Sequence, residues 1–303
     1  MATTAPLLWL DGKLVPAATA TLPLMAHAAQ RGSLVFDAGA WHLTARGPAL
    51  FRVDDHVARF MQSAQIVGLE LGFTAAALKQ AAIDVVNAND GKTDGMIRWS
   101  VFYAANEPDL IPRDGTVHVA VAAQLLQDPT RATPLRVATF ADARKAAPDA
   151  LPPTAKAAAA YLGPMLARRR AIAAGADDVV LLDANGDIAE APIANVCAVI
   201  RGELWTPPLG HILPGITRRS VLEVARDLGI VVREERLSRE AFQNADEAFL
   251  TGTSLPLAPI GAIDERTLVA PGPVTARILE ALVGARRGTT EQYAAWLTLT
   301  RGA

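Results

Sequence analysis

Three features in the second half of the chain have residue types suited to chemistry. Lys156 lies among small residues in T-A-K-A-A, Glu190 follows the Asn185-Gly186 turn, and residues 213–218 read L-P-G-I-T-R. A lysine amine can form an imine with an aldehyde. A carboxylate can keep a pyridine nitrogen protonated, and the free amides at a helix start can hold a phosphate. Together these are the functions that a pyridoxal phosphate enzyme requires of its protein.

Each of the two charged residues also has an ordinary structural explanation. A lysine at the entrance to an apolar helix is usually solvated, but small neighbours on both sides of Lys156 leave room for a bulky ring. A glutamate beside a turn is usually exposed, and Asp187 is a rival to Glu190 whose place in the turn favours solvent. The candidates for imine chemistry are the five lysines of the chain: Lys13, Lys79, Lys92, Lys145 and Lys156.

The helix start and a later threonine-rich run could bind the phosphate. Pro214 and Gly215 are typical of a helix start, and the free amides of Ile216 and Thr217 would form an anion site there. Residues 251–254, T-G-T-S, follow a predicted strand and offer hydroxyls and a glycine for close approach, although such a run is often only a turn.

Tyr161 and Arg59 could complete the site. The Tyr161 phenol, five residues after Lys156, could bond the ring oxygen of the cofactor, but a core aromatic is the commoner role for such a residue. Arg59, considered alone, has the pattern of an ordinary arginine on a helix surface.

Composition excludes several classes of protein. The chain has 303 residues, 51% of them hydrophobic, with a formal net charge of −2 and a pI near 6.2. We therefore expect a sizeable core and no nucleic-acid partner. Cys197 is the only cysteine, which excludes an intramolecular disulfide and indicates a reducing compartment. We expect no metal site, because the histidines are scattered, and no signal peptide or membrane span.

These residues need a scaffold, and the patterns predict two domains. The first, residues 1–123, is predicted as two helices on a mostly antiparallel sheet, with a helix capped by Asp54 or Asp55 and another starting at Thr74. Its predicted strands are a hairpin at 7–16 and segments 33–43, 49–51, 96–103 and 116–122.

A polar stretch at 124–133 is the predicted linker, and residues 134–303 form the second domain. Its predicted strands are 136–140, 179–182, 196–200, 248–250 and one near Ile260. Its predicted helices are 158–174, with Gly175 as the C-cap, 214–228, and one that starts after Pro273.

In order, these segments resemble the class IV aminotransferase family, most closely the branched-chain amino acid aminotransferases. The resemblance covers nearly the whole chain, and its later half is the more specific. The matching residues are 27–28, 32, 35–37, 51–59 (F-R-V-D-D-H-V-A-R), 97–98, 156, 161, 181–183, 190, 195, 205–208, 212–218 (I-L-P-G-I-T-R), 245–247, 251–253 and 272–275.

The resemblance implies that Lys156 is the Schiff-base lysine of pyridoxal 5'-phosphate and that Glu190 pairs with the pyridine nitrogen. It further implies that the phosphate is held by Arg59, Ile216, Thr217 and Thr253. By the same resemblance, Tyr161 bonds to the ring oxygen and Leu213 packs on the ring. It also implies an α/β (mixed α+β) fold of type IV, with a small α/β domain and a larger pseudo-barrel domain. The family forms homodimers with the active site near the subunit interface.

The predicted substrate half departs from the family pattern. Where this chain has Arg31 and Met96, branched-chain enzymes usually have tyrosine, and where it has Ala40 they often have arginine. The run that is glycine-rich in those enzymes reads A-P-I-A here, at residues 191–194. The substrate candidates are Arg31, Phe36, Met96, Arg98 and Ser254. Met96 and Arg98 lie two apart on one predicted strand and share a face. Either Arg31 or Arg98 could bind a carboxylate, unless both lie at the surface or in a dimer contact.

The leading hypothesis is a transaminase that moves an amino group between a hydrophobic amino acid, or an amine, and a 2-oxo acid. A D-amino acid or (R)-amine transaminase, a lyase resembling aminodeoxychorismate lyase, and a non-catalytic cofactor-binding protein remain alternatives. The donor, its stereochemistry and any oligomer above a dimer stay open. We expect a cytoplasmic homodimer or higher homo-oligomer without nucleic-acid or membrane partners.

Overall fold

A computed structural model describes residues 3–125 and 133–301. Most of the predicted linker, residues 124–133, therefore lies outside the described residues. By their contacts the described residues form two compact units. The first contains residues 3–125, 155–159 and 284–301, and the second contains 133–154 and 160–283. Segments 155–159 and 284–301 thus group with the first unit, although they lie in the predicted C-terminal domain.

The strands are, in chain order, β1 (Thr3–Leu10), β2 (Lys13–Pro16), β3 (Leu34–Thr44), β4 (Gly47–Phe51), β5 (Gly95–Tyr103), β6 (Val117–Leu125), β7 (Leu135–Ala138), β8 (Asp178–Val179), β9 (Asn195–Ile200), β10 (Glu203–Thr206), β11 (Val232–Glu234), β12 (Glu247–Thr251), β13 (Ala258–Ile263), β14 (Arg266–Thr267) and β15 (Leu297–Leu299). The α-helices are α1 (His27–Arg31), α2 (Val53–Val67), α3 (Ala75–Ala88), α4 (Leu162–Ala173), α5 (Ile216–Asp227), α6 (Arg239–Gln243) and α7 (Pro273–Arg287). Turns of 3-10 helix occur at Ala17–Thr19, Ala158–Tyr161 and Glu291–Trp296.

The first unit is built on an antiparallel sheet with the strand order β15-β4-β3-β5-β6-β1-β2. This confirms the predicted antiparallel sheet, the hairpin and the long helices α2 and α3. Along β5, Ile97, Trp99 and Val101 are fully buried in the core, whereas Met96 and Arg98 point to the opposite face. Because side chains alternate along a strand, β5 has one face in the core and an opposite face that carries the substrate candidates Met96 and Arg98.

The start of α2 differs from the prediction. The N-cap is Arg52, in the left-handed region at φ 48°, and not Asp54 or Asp55. The Arg52 guanidinium lies 3.8 Å from the centre of the Trp296 ring, a contact that accompanies this uncommon backbone conformation. Both aspartates instead occupy the first helical turn, where the helix dipole favours negative charge. Thr74 caps α3 as predicted and accepts a hydrogen bond from the Ala77 amide.

The second unit contains a mixed sheet with the order β11-β10-β9-β12-β13-β7-β8, and β14 pairs with β13. The predicted strand at 179–182 is only partly formed, because β8 ends at Val179. Its continuation instead hydrogen-bonds to several segments: the Leu181 amide donates to the Glu190 carbonyl and the Leu182 amide to the Ala143 carbonyl. This connection brings three loop segments of the unit together.

Two predicted helices of the second unit start later than expected. The helix predicted at 158–174 is a 3-10 turn, Ala158–Tyr161, followed by α4. Its C-cap is Ala174 rather than Gly175. The helix predicted from Pro214 starts at Ile216, because Gly215 has the extended backbone of an N-cap. Among the described residues no helix is both long and apolar enough to cross a membrane.

Candidate active site

Lys156 is held by its backbone against the end of β3. Its carbonyl accepts a hydrogen bond from the Phe36 amide at 3.0 Å, and its amide donates to Ser63 Oγ at 3.1 Å. Ala157 forms a bridge with Val35. The side chain is half-buried, and its Nζ lies 5.2 Å from the centre of the Phe36 ring. The Lys156 side chain is therefore partly shielded from solvent in this fold.

Phe36 and Arg98 share the face of the sheet that points away from the core. The register pairs Ala38 with Arg98 and Ala40 with Met96, and the Arg98 guanidinium lies 4.5 Å from the centre of the Phe36 ring. Arg98 is exposed and forms no ion pair within the described part of the chain. Its charge is therefore accessible to a carboxylate that comes from outside the protein.

Arg31 occupies a different environment, at the last residue of α1. It is exposed, and its guanidinium donates to the backbone carbonyls of Gln30 at 3.2 Å and Pro108 at 3.5 Å. These contacts tie the side chain to the end of α1 and to the loop between β5 and β6.

Arg59 is buried, so the surface role that its helix pattern suggested is wrong. Its Nε and one terminal nitrogen donate to the two oxygens of Asp37, at 2.7 and 2.9 Å. His56, one turn before on α2, places Nδ1 2.7 Å from the same carboxylate. Asp37 thereby fixes the orientation of the guanidinium through a two-point bond.

Charge and burial oppose each other at this trio. Burial alone would raise the pKa of Asp37, but the Arg59 charge and the His56 contacts outweigh it and hold that pKa well below its usual range. Burial is the largest effect on His56 and lowers its pKa. The Asp37 contacts raise that pKa, but the nearby charges of Arg59 and Lys156 act with burial, and the pKa is lowered on balance. His56 is consequently neutral near pH 7 and donates its Nδ1 proton to Asp37.

Glu190 is the buried carboxylate of the second unit, with 8% of its surface exposed. One oxygen, Oε1, accepts from the Lys145 ammonium. The other, Oε2, accepts from the Asn195 amide group at 2.9 Å and from the Leu213 backbone amide at 3.1 Å. The rival Asp187 bonds to Arg236 at 2.6 Å instead. The exposed role that turn glutamates usually have does not apply to Glu190.

The start of α5 lies against the same group of residues. A Cβ atom on Gly215 would come within 1.8 Å of Asn195 Oδ1, so the close approach of this backbone requires glycine. Ile216 and Thr217, the first helical residues, are buried. Their amides precede the first intrahelical bonds, and the helix dipole adds positive potential at this end.

The other predicted residues of the second unit occupy turns and loops. Tyr161 ends its 3-10 turn and is half-buried. Between β12 and β13, Thr253 is half-buried and Ser254 is exposed. Gly252 approaches closely, because a Cβ there would lie 3.2 Å from the Ile193 carbonyl oxygen. Phe36, Met96, Arg98, Arg31, Arg59 and Lys156 belong to the first unit, and the other candidates belong to the second.

Four residues in contact with the candidates or with their partners have no role in the sequence prediction. In the sequence, Lys145 is only one of five lysines, and Asp37, Asn195 and His56 are only parts of matching segments. A signal for the last was present, because His56 and Arg59 are three residues apart and so share a helix face. No sequence signal pairs Lys145 with Glu190, because a tertiary contact between two loops has no fixed spacing.

The donors and acceptors fit pyridoxal phosphate. A carboxylate has about four lone-pair positions, and three of those on Glu190 are used, which leaves an acceptor for a ring nitrogen. Gly215 creates a backbone approach that a Cβ would fill, next to a helix start suited to phosphate. Lys156 supplies a half-buried amine. No group of three or more metal-binding side chains occurs in the described residues.

Comparisons with known proteins agree with this chemistry. The family model for amino-transferase class IV matches residues 35–263. The branched-chain-amino-acid aminotransferase of Pseudomonas aeruginosa is 32% identical over 300 residues, which is 97% of each chain. The branched-chain aminotransferase structure of Thermoproteus uzoniensis with norvaline has a TM-score of 0.94 and 34% identity, and covers 99% of this chain and 100% of that one. The enzyme of Thermobaculum terrenum in its PLP-form has a TM-score of 0.93 and 30% identity, with 99% of both chains covered.

Proposed function

The chain belongs to the class IV aminotransferase family and is an aminotransferase of fold type IV, and we propose that it works through Lys156 with pyridoxal phosphate. Its substrates are a small-molecule amino donor and a 2-oxo acid acceptor. The observation that carries the proposal is the contact of the half-buried Lys156 Nζ with the Phe36 ring, on which the exposed Arg98 also lies. This places an amine, an apolar surface and a cation in one unit.

Pyridoxal phosphate, when bound, supplies an aldehyde that condenses with amines and a ring that accepts electron density. Lys156 is the residue that would hold the cofactor aldehyde, and its Nζ would take and return the proton of the substrate α-carbon. Glu190 would keep the ring nitrogen protonated, and the protonated ring would stabilise the negative charge that develops when the α-carbon proton leaves. Arg59, Ile216, Thr217 and Thr253 would hold the phosphate, Tyr161 would bond to the ring oxygen, and Leu213 would pack on the ring.

We assign the substrate carboxylate to Arg98 rather than Arg31. Arg98 has no protein acid as a partner within the described residues, whereas Arg31 already donates to two backbone carbonyls. A planar guanidinium beside an aromatic ring suits a 2-oxo acid whose side chain is apolar. Phe36, Met96 and Ser254 are the other residues that we propose to contact the substrate.

Borohydride reduction tests the lysine assignment. We expect the purified protein to be yellow, with a visible band that borohydride bleaches, and peptide mass spectrometry to place the reduced adduct on Lys156. Lys156→Ala should abolish turnover, and Lys79→Ala, a partly exposed lysine paired with Asp54, is the matched control. An adduct on Lys145, or near-normal transamination by Lys156→Ala, would show that the assignment is wrong.

A donor panel separates the possible reactions. The panel contains L-amino acids, D-amino acids and both enantiomers of 1-phenylethylamine, each with and without a 2-oxo acid. Turnover only with an acceptor supports transamination, whereas release of pyruvate without one would indicate a lyase. We propose a hydrophobic, branched-chain-like amino acid as the donor. Preference for a D-amino acid or an (R)-amine would instead indicate that Arg31, Ala40 and Met96, which differ from the residues usual in branched-chain enzymes, change the substrate specificity.

We also propose that the protein is a homodimer. Helix α4 buries only Ala171 and exposes large apolar side chains, and such a surface is typical of a protein contact. Those side chains are Leu162, Met165, Leu166 and Ile172. Sedimentation equilibrium of the wild-type protein and of Leu166→Lys tests this, with a monomeric wild type as the contrary result.

A cytoplasmic location is proposed from the thiol content. Cys197 is the only cysteine, and it is buried. Burial raises the pKa of its thiol to about 11, so the reactive thiolate is disfavoured. Fractionation of the source cells with detection of the native protein tests the location.

A further inference from the structure

Lys145 is a charged residue beside the proposed cofactor site that the mechanism above does not use. Its ammonium is the partner of Glu190 Oε1. The Lys145 and Glu190 side chains are only 16% and 11% exposed. Removing one member of such a shielded pair leaves an uncompensated charge, so a contact of this kind has consequences that an exposed pair does not have.

The backbone on both sides fixes the Lys145–Glu190 contact. The Lys145 amide donates to the Leu182 carbonyl at 2.9 Å, and the Leu181 amide donates to the Glu190 carbonyl at 3.0 Å. The next residue back, Arg144, donates from its guanidinium to the Ala184 carbonyl at 2.7 Å. Both residues of the pair are therefore anchored to the same short segment, and their contact does not depend on two freely moving side chains.

The two carboxylate oxygens of Glu190 accept different numbers of hydrogen bonds. Oε2 already accepts two bonds, from the Asn195 side chain and the Leu213 amide. Oε1 accepts one, from Lys145. A carboxylate oxygen has about two lone-pair positions, so the acceptor that remains within the described residues is on Oε1, next to the ammonium.

We propose that Lys145 is a positioning residue of this aminotransferase, which shares Glu190 Oε1 with the ring nitrogen of the cofactor and sets how strongly that oxygen holds the ring proton. This inference rests on the proposed role of Glu190. The ammonium holds the carboxylate in one orientation, while its charge and its hydrogen bond weaken Oε1 as an acceptor. Lys145 does not contact the reacting atoms, so its effect passes through Glu190.

The ring N–H proton provides a direct measurement of this sharing. In the holoenzyme, prepared with cofactor labelled with 15N in the ring, its low-field 1H resonance reports the strength of the bond to Glu190. In Lys145→Met we expect the resonance to move downfield by about 0.5 ppm or more, because Oε1 loses its competing donor. Lys145→Arg should stay near the wild-type position, since it restores both the charge and a donor.

Three further variants make the result decisive. Lys145→Gln keeps a neutral donor and should give a partial shift, and it replaces Lys145→Met if that protein does not fold. Lys79→Met removes the same charge from the Lys79–Asp54 pair and should leave the resonance unchanged. In a Glu190→Gln background, where the ring nitrogen lacks its charged partner, adding Lys145→Met should produce no further shift of the ring 15N resonance.

The outcomes separate this inference from the proposed function. The borohydride adduct is mapped in every variant, so an adduct away from Lys156 contradicts the proposed function itself. If the adduct stays on Lys156 and Lys145→Met leaves the ring proton unmoved, only the role of Lys145 is wrong. An equal shift in Lys79→Met or in Lys145→Arg would also overturn it, because either result would show that sharing of Oε1 is not the cause.

Discussion

The candidate residues depend on partners that hold their charges at fixed orientations. Asp37, on β3, accepts hydrogen bonds from two nitrogens of the Arg59 guanidinium. The Asn195 side chain and the Leu213 backbone amide donate to one oxygen of Glu190. Such preorganised groups act without reorganisation when charge develops. Arg98 is the contrasting case, because no protein carboxylate neutralises it within the described residues.

Replacing Glu190 by Gln should slow the half-reaction with an amino donor on the order of a hundredfold or more, because the ring nitrogen loses its charged partner. Stopped-flow absorbance measures the rate constant. Asp187→Asn is the matched control, since this nearby carboxylate bonds to Arg236 instead. An unchanged rate constant in Glu190→Gln would mean that another group holds the ring nitrogen.

Arg98→Ala should raise the KM for pyruvate and 2-oxoglutarate more than that for a simple neutral ketone, because only the acids carry a carboxylate for the guanidinium. Loss of one charge-assisted bond corresponds to roughly a tenfold or greater change. Arg31→Ala should have little effect, since its donors already serve backbone carbonyls. Equal effects of both variants on acids and ketone would contradict this assignment of specificity.

At the scale of elements, the start of α5 connects the carboxylate to the proposed phosphate site. Gly215 ends the loop with an extended backbone, and Asn195, at the first position of β9, occupies the space where a side chain on Gly215 would lie. The Asn195 amide group also donates to the Leu213 carbonyl at 3.0 Å. One strand start and one helix start are thus fixed to each other through a single amide.

Gly215→Ala should weaken both cofactor binding and folding. The φ of −67° is open to alanine, so the cost comes from space alone, about 1–3 kcal/mol for a crowded site. Gly163→Ala is the control, because a Cβ there meets nothing within 4 Å and alanine favours the helix by up to about 1 kcal/mol. Cofactor titration and urea unfolding measure both effects. If Gly215→Ala bound cofactor as the wild type does, the close approach would have no importance for the site.

At the scale of the whole molecule, titration of buried groups controls how stability depends on pH. His42 on β3 is a clear example. Burial, with the nearby Arg286 charge, lowers its pKa to about 4, although the Asp94 contacts oppose this. Arg286 is itself buried, and burial lowers its pKa to about 10, so it remains charged at neutral pH.

We expect the free energy of unfolding to decrease as the pH falls from about 6.5 to about 4. Over that range the unfolded chain binds a proton at residue 42 that the folded protein does not, which costs roughly 3 kcal/mol. His42→Asn, which can still donate to Asp94, should reduce this loss. His118→Asn changes an exposed histidine paired with Asp11 and serves as the control. Urea unfolding at pH 5 and pH 8 measures the difference, and equal losses in both variants would exclude His42 as the source.

The sequence by itself determined much of the fold and the family-level chemistry. Period-two alternation along β5 predicted that Met96 and Arg98 share a face, because alternate residues of a strand always point to the same side. Thr74 and the Pro214-Gly215 pair predicted helix starts to within two residues, because these residue types satisfy or tolerate unpaired amides. Strand alternation and helix starts depend on residues that are close together in the chain, so the sequence alone is sufficient to predict them.

Only the tertiary structure decided which charges are buried and what they contact. The pairing of Lys145 with Glu190 depends on two loops that meet at Leu181 and Leu182, and no spacing in the chain encodes that meeting. The sequence pattern of Arg59 is that of a surface arginine, but in the fold its guanidinium is buried and donates to Asp37 on β3. Burial makes an unpaired charge costly, so the partners of these groups follow from packing across the fold and not from neighbours in the sequence.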